Sequence, residues 1–146
     1  VNRQCHLVLV GEGVEVNNYQ QQIELNNLAG NVTIAPVTKQ VEDYYQAADI
    51  FAMTSNYEPL GQTILESFAS GLPVTAFKRS DIVDTASQEL GMDKYITYAE
   101  NYNCDDLALA IDNSFLKLEL LSREECSNQA KSKFSWSHLY SVLIKE

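Results

Sequence analysis

Short apolar runs alternate with helix-period segments along the whole chain, and this alternation most restricts what it can fold into. His6–Val10 is closed by Gly11-Glu12-Gly13, and Asn31–Pro36, Ile50–Thr54, Pro73–Phe77 and Tyr95–Tyr98 follow. Each run has the length of a strand and is too short for a helix. Between them, apolar residues recur at the spacing of one helix face. Tyr19, Ile23, Leu25 and Leu28 lie within Asn17–Leu28, with Gly30 beyond as a stop signal; Val41, Tyr44, Tyr45 and Ala48 follow, and Gln62–Ser70 is stopped by Gly71. Asp81–Leu90 and Asp105–Leu121 read as further helices. Ser122, with Glu125 three residues on, is a capping box that starts a last helix towards Lys145. Strands alternating with helices predict right-handed βαβ units. The expected fold is α/β: a Rossmann-like, doubly wound parallel sheet with helices on both faces. A mixed sheet with the Tyr95 strand reversed is the alternative.

Size and charge narrow the function. At 146 residues and 16.4 kDa the chain has room for one domain and not for a complete two-domain enzyme. Its hydrophobic fraction of 45% suffices for a core. Ten Lys and Arg against 20 Asp and Glu leave a formal charge of −10, which argues against general binding to a nucleic-acid backbone or an anionic lipid. No stretch approaches the roughly 18 apolar residues of a membrane span, and no signal segment opens the chain. Cys5, Cys104 and Cys126 are odd in number, far apart and without histidines at ligand spacing. They read as reduced thiols in a cytosol, forming neither a metal site nor a disulfide framework. A chain that opens on Val1 and runs almost directly into a strand reads as a piece of a longer protein.

In an open parallel sheet, ligands bind outside the carboxyl ends of the strands, so the informative residues are those that follow strands. Gly11 and Gly13 follow the first. Hydride-transfer chemistry is disfavoured there, because a dinucleotide fingerprint needs a small residue three positions after Gly13 and Val16 stands in that place. They read as turn glycines whose backbone can stand close to a ligand. Pro36, Val37, Thr38 and Lys39 follow the second strand, and Lys78-Arg79 the fourth.

The segment Ser55–Glu66 after the third strand is the most specific. Pro59 and Gly61 keep its start out of regular helix, so a helix begins near Gly61 or Gln62 with its first amides unpaired and aimed at the ligand edge. A phosphate or diphosphate would sit on Gln62, Thr63 and Ile64 without a metal. Glu66, four residues after Gln62, could accept hydrogen bonds from a vicinal diol such as a ribose. Glu58, beside free amides of Leu60 and Gly61, suits the hydroxyls of a sugar. The residues alone equally allow Glu66 as a solvent-facing helix residue and Glu58 as a favourable charge near a helix N-terminus.

Glu58, Gly61, Glu66, Ala69, Gly71, Pro73 and Val74 resemble, position for position, the signature E-x-x-G-x-x-x-x-E followed by A-x-G-x-P-V. That signature belongs to the retaining glycosyltransferases of the GT-B fold, family 4, also called glycosyl transferases group 1. Leu9-Val10-Gly11-Glu12-Gly13 is similar to the family's V-G-x-G turn, Tyr44–Ile50 to its Y-x-x-A-D run, and Phe134-Ser135-Trp136 to its terminal F-S-W. Asn31-Val32 opens its next strand.

The resemblance covers nearly the whole chain. It implies that residues 1–146 are part of a C-terminal, donor-binding domain that handles a nucleoside-diphosphate sugar with retention at the anomeric carbon. It further implies that Glu66 holds the ribose, Glu58 with the Pro59-Leu60-Gly61 backbone the transferred sugar, Gln62, Thr63 and Ile64 the diphosphate, and Ala35-Pro36 the edge of the base. Glu58 is then an orienting residue. No cofactor or metal is implied. The acceptor would be a glycan or a lipid-linked molecule met through an N-terminal domain absent from this chain, in a cytoplasmic enzyme of polysaccharide assembly, peripheral to the membrane at most.

The family's strand and helix ahead of the V-G-x-G turn, bearing an Arg and a Lys that neutralise the diphosphate, are missing. The glycine-rich loop many members carry before E-I-V is also absent around Lys78–Val83. The expectation is therefore a hexosyltransferase fragment that is inactive alone. Lys39, Lys78 and Arg79 could partly replace the basic pair or be ordinary solvated charges. A nucleotide-sugar epimerase of the same architecture and a non-catalytic nucleotide-sugar-binding module are the rival functions. Neither His6 nor His138 has an acidic residue or a cysteine at ligand spacing in the sequence, and Phe134 with Trp136 reads as an anchor of the last helix to the core.

Overall fold

The computed structural model describes residues 5–135 and 137–138. The chain divides into two units, Val1–Val41 and Glu42–Glu146. All named strands pair in parallel, the Tyr95 strand included.

In the first unit β1 (Leu7–Val10) pairs with β2 (Val32–Ala35), Leu7 opposite Val32 and Val10 opposite Ala35. Helix α1 (Val16–Leu25) links them. It ends in a Schellman arrangement: the Leu28 amide donates to the Ile23 carbonyl at 2.8 Å and the Asn27 amide to Glu24 at 3.1 Å. Asn27, at φ 54°, takes the left-handed position, so Asn27 and not Gly30 stops the helix. The cover expected on both faces of the sheet is not found at the first strand. Leu7, Val8 and Val10 are exposed, because β1 has a neighbour on one edge and α1 contains no buried residue to cover it.

The second unit carries the core. Its sheet runs β3 (Phe51–Met53), β5 (Val74–Phe77), β7 (Ile96–Ala99), with every residue of the central strand β5 buried. Two-sided burial needs cover on both faces, and the helices supply it. Val74 and Ala76 join Met53, Ile64 and Phe68 of α3 (Gln62–Ala69) and Cys126 and Ala130 of α5 (Arg123–Lys133). The alternate residues, Thr75 and Phe77, meet α4 (Cys104–Lys117): Phe77 clusters with Ala110, and the Thr75 and Ser114 hydroxyls share a buried bond of 2.6 Å. Truncating Ile64 or Phe68, each fully buried, to Ala would cost about 2–5 kcal/mol.

Caps set the helix ends. Asn103 accepts the Asp106 amide at 2.8 Å to start α4, and Ser122 accepts the Glu125 amide at 3.2 Å to start α5. The Glu125 carboxylate meanwhile bonds Lys94 at 3.0 Å. Helix α4 ends in a short tight turn over Leu118–Leu120, and α5 ends at Lys133; Trp136 and the stretch towards Lys145 lie outside the described residues. At the end of α3, Gly71 (φ 78°) is the left-handed residue of a second Schellman arrangement, with Leu72 N–H donating to Ser67 and Gly71 N–H to Phe68, both at 2.9 Å.

One expected helix is absent. Over 81–90 the chain forms instead β6 (Asp84–Thr85) and a short tight turn at Ala86–Gln88. Val83, Thr85 and Ser87 are buried while Asp84 is exposed, a period of two that suits the β-branched run Ile82-Val83 and Thr85 better than a helix. The partner of β6 is β4 (Tyr57–Glu58), in the stretch that Pro59 and Gly61 keep out of the helix. Among the described residues, no helix is long and apolar enough to cross a membrane.

Two outcomes follow for stability. A Cβ on Gly71 would stand 2.4 Å from the Arg123 carbonyl oxygen in a backbone conformation that L-residues resist, so Gly71→Ala should destabilise by about 2 kcal/mol or more in a denaturant melt. Burial pushes the Cys126 thiol up to about 11 from an ordinary 9.0. The neutral buried thiol therefore stabilises fully below pH 9, and that contribution fades as pH rises through 11. Cys126→Ala should remove this part of the alkaline decline, and at pH 8 a thiol reagent should label exposed Cys5 and Cys104 well before Cys126.

Candidate functional site

The first unit gathers one group of the expected residues. The Gly11 amide donates to the Ala35 carbonyl at 3.0 Å, which sets the ends of β1 and β2 side by side with Gly11, Gly13, Ala35 and Pro36 at the carboxyl edge of the pair. Gly11, at φ 145°, holds a conformation that favours glycine, and Cβ atoms at Gly11 and Gly13 would meet open space. His6 at the other end shares a 2.8 Å bond with the Thr33 hydroxyl, a surface contact. Lys39 is exposed.

The second unit gathers the rest around the start of α3. The Asp84 amide donates to the Asn56 carbonyl at 2.7 Å and Glu58 pairs with Thr85, so the segment ahead of the helix is held as a short strand. Pro59 and Leu60 are exposed, and Gly61 turns the chain in the left-handed region (φ 67°, ψ 39°) as N-cap of α3. The Glu58 carboxylate accepts the Gly61 amide through Oε1 at 3.1 Å. That corrects the expectation of a free Gly61 amide beside Glu58. A carboxylate three residues back from an uncapped glycine is the acceptor within reach, and its charge also suits the positive helix end, for about 0.3–1 kcal/mol. Glu58→Ala should accordingly lower stability by about 0.5–2 kcal/mol, read from the midpoint of a urea melt.

Helix α3 begins at Gln62, as the Pro59–Gly61 pattern predicts. Gln62 and Thr63 are exposed, whereas Ile64 is fully buried, so only its backbone faces the helix end. Like any α-helix it leaves its first amides without partners inside the helix. Glu66 lies one turn on, on the side of Gln62. Its Oε2 accepts a hydrogen bond of 3.1 Å from the Tyr45 hydroxyl of α2 (Val41–Ala47). Burial first, and then the Glu66 charge, raise the Tyr45 phenol well above its ordinary value, so it stays a neutral donor.

Gln62, Leu65, Glu66 and Ala69 form one wall of an open groove of about 470 Å³, with Lys131 and Phe134 on the facing wall. Phe134 is 38% exposed there, so it does not anchor the last helix in the core as expected. The sequence reading missed Tyr45 and Lys131 as neighbours of this face. Tyr45 stood inside the Y-x-x-A-D run, but its partner is 21 positions away on another helix.

The basic residues after β5 are engaged. Lys78 pairs with Glu100 at 2.7 Å, and Arg79 binds both Asp84, at 2.5 Å, and Glu89. Each pair is substantially exposed and worth little in stability, and each sets a carboxylate against the cation.

Residues 1–133 match the sequence profile described as glycosyl transferases group 1. The chain belongs to that family. It is 24% identical over 149 aligned residues, 95% of the chain, to mannosylfructose-phosphate synthase of Agrobacterium fabrum, and 27% identical over 117 residues, 80% of the chain, to the amylovoran biosynthesis glycosyltransferase AmsD of Erwinia amylovora. It covers 32% of each of those proteins. The TarM protein of S. aureus, solved with UDP and alpha-GlcNAc-glycerol, superposes with a TM-score of 0.73 at 26% identity over 94% of the chain and 28% of TarM. The chain thus spans about a third of the length of these group 1 relatives, and its fold is that of GT-B glycosyltransferases.

Proposed function

We propose that this chain is the donor-binding part of a retaining glycosyltransferase that moves a hexose from a nucleoside-diphosphate sugar to a glycan or lipid-linked acceptor. The observation that carries the reading is the pair Glu58 and Glu66 bracketing the start of α3, where Pro59–Gly61 turn the chain into the helix. An anion at that end meets backbone amides and the positive end of the helix, which suits a diphosphate without a metal. Glu66, one turn along the helix from Gln62, is an acceptor suited to ribose hydroxyls, and Glu58, ahead of the helix, an acceptor suited to the sugar. In the first unit, taken by itself, the backbone of Gly11, Gly13, Ala35 and Pro36 at the carboxyl edge of β1 and β2 suits contact with the edge of a base. Membership of group 1, and a relative of 26% identity solved with UDP, support the same assignment.

In this reading Glu58 and Glu66 orient the donor, and neither exchanges a proton with it. The α3 amides stabilise charge as it builds on the departing diphosphate, the kind of preorganised stabilisation that lowers a barrier without reorganising solvent. Attack from the face the diphosphate leaves would give retention. The acceptor side and the catalytic cleft belong to the remainder of a longer cytoplasmic enzyme of polysaccharide synthesis, so residues 1–146 alone should transfer no sugar.

Calorimetric titration of the complete gene product with UDP, GDP and ADP tests the reading. One nucleotide should bind, and Glu66→Ala should weaken it by roughly tenfold, about 1.4 kcal/mol. Failure of all three nucleotides to bind the complete protein, or binding indifferent to Glu66, would overturn it.

A further inference from the structure

We propose that Tyr45 is a positioning residue for the donor, fixing the carboxylate of Glu66 in the orientation that receives ribose hydroxyls. The inference rests on the donor-site reading above. A glutamate on the open side of a helix has three rotatable bonds and must be ordered before it can grip a ligand, at a cost in affinity. Here that ordering is already supplied. The Tyr45 hydroxyl donates to Glu66 Oε2 at 3.1 Å. Tyr45 itself is 8% exposed, and its ring packs edge-on against Phe51 with centroids 5.7 Å apart. Its backbone is tied as well: the Arg123 guanidinium donates to the carbonyls of Tyr45 at 3.2 Å, Gln46 at 3.4 Å and Ala48 at 2.8 Å. The phenol is thus a donor in a fixed place, and Glu66 is the flexible partner that it holds.

The bond also decides what Glu66 can recognise. A carboxylate accepting from a phenol remains an acceptor, with Oε1 and the second lone pair of Oε2 still to offer. Two neighbouring hydroxyls satisfy those positions, and a sugar that lacks them leaves the oriented carboxylate without partners. Tyr45 therefore contributes to selection of ribose over deoxyribose without touching the nucleotide.

The test uses the complete gene product, the nucleoside diphosphate that binds it, and the dideoxy analogue lacking both ribose hydroxyls. Tyr45→Phe keeps the ring against Phe51 and removes only the donor. It should weaken the ribonucleotide by roughly 3- to 10-fold and leave the analogue unchanged, a ratio that does not depend on how much of the variant is folded. Glu66→Asp, which keeps the charge and draws the carboxylate away from the phenol, should show the same selective loss, and adding Tyr45→Phe to it should cost nothing more. Equal loss for both nucleotides would make Tyr45 merely structural and overturn the inference. No loss in Tyr45→Phe while Glu66→Ala weakens binding would overturn it and leave the donor-site reading standing. Indifference of binding to Glu66→Ala would remove both.

Discussion

Four backbone carbonyls converge on one side chain, and the arrangement of the second unit depends on that convergence. Arg123, the first residue of α5, donates to Tyr45, Gln46 and Ala48 at the end of α2 and to Ser70 at the end of α3. A helix leaves its last carbonyls without partners, and their partial negative charge attracts a cation. One guanidinium, with five donors in a fixed fork, serves two helices at once. The approach this requires is possible because the neighbours are small. Gly71 lets the chain pass the Arg123 carbonyl, and Cys126 and Ala130 let α5 lie against α3, where the Ser127 hydroxyl reaches the Ala69 carbonyl at 2.6 Å. Through the same contacts the helix that carries Gln62 and Glu66 and the helix that carries Tyr45 become one rigid support.

Features set by local chemistry were the legible ones. The start of α3 at Gln62 follows from Pro59 and Gly61, its end from Gly71, and the start of α5 from Ser122. In each case the residue type and the backbone conformation are linked within a few positions. The buried strand β5 was legible because two-sided burial leaves an unbroken apolar run. The signature Glu58, Gly61, Glu66, Ala69, Gly71, Pro73, Val74 was equally local, and it carried the family assignment that the sequence profile supports.

What the sequence hid is set by partners far away along the chain. Asp81–Leu90 has a helical spread of apolar residues, yet Tyr57-Glu58 offers a parallel neighbour to Asp84-Thr85, and Arg79 draws in Asp84 and Glu89 from outside. Those contacts outweigh a weak local preference. Exposure of β1 was hidden for the opposite reason: an apolar run announces a strand and says nothing of whether its faces are covered. The occupation of the Gly61 amide by Glu58 was within reach of local reasoning, since an acceptor three residues before an uncapped helix start commonly turns back on it.

The two-residue ladder between β4 and β6 has an evolutionary consequence. Glu58 owes its place to a segment 27 positions later that carries no signature residue of its own, since Asp84 and Thr85 stand opposite Tyr57 and Glu58. Selection acting on the acidic residue must then also restrain that plain stretch. Because the ladder runs through backbone groups, that restraint falls on conformation and not on side-chain identity: many residues can stand at 84–85, but not a proline at 84, whose missing amide would release Asn56 and the strand that carries Glu58.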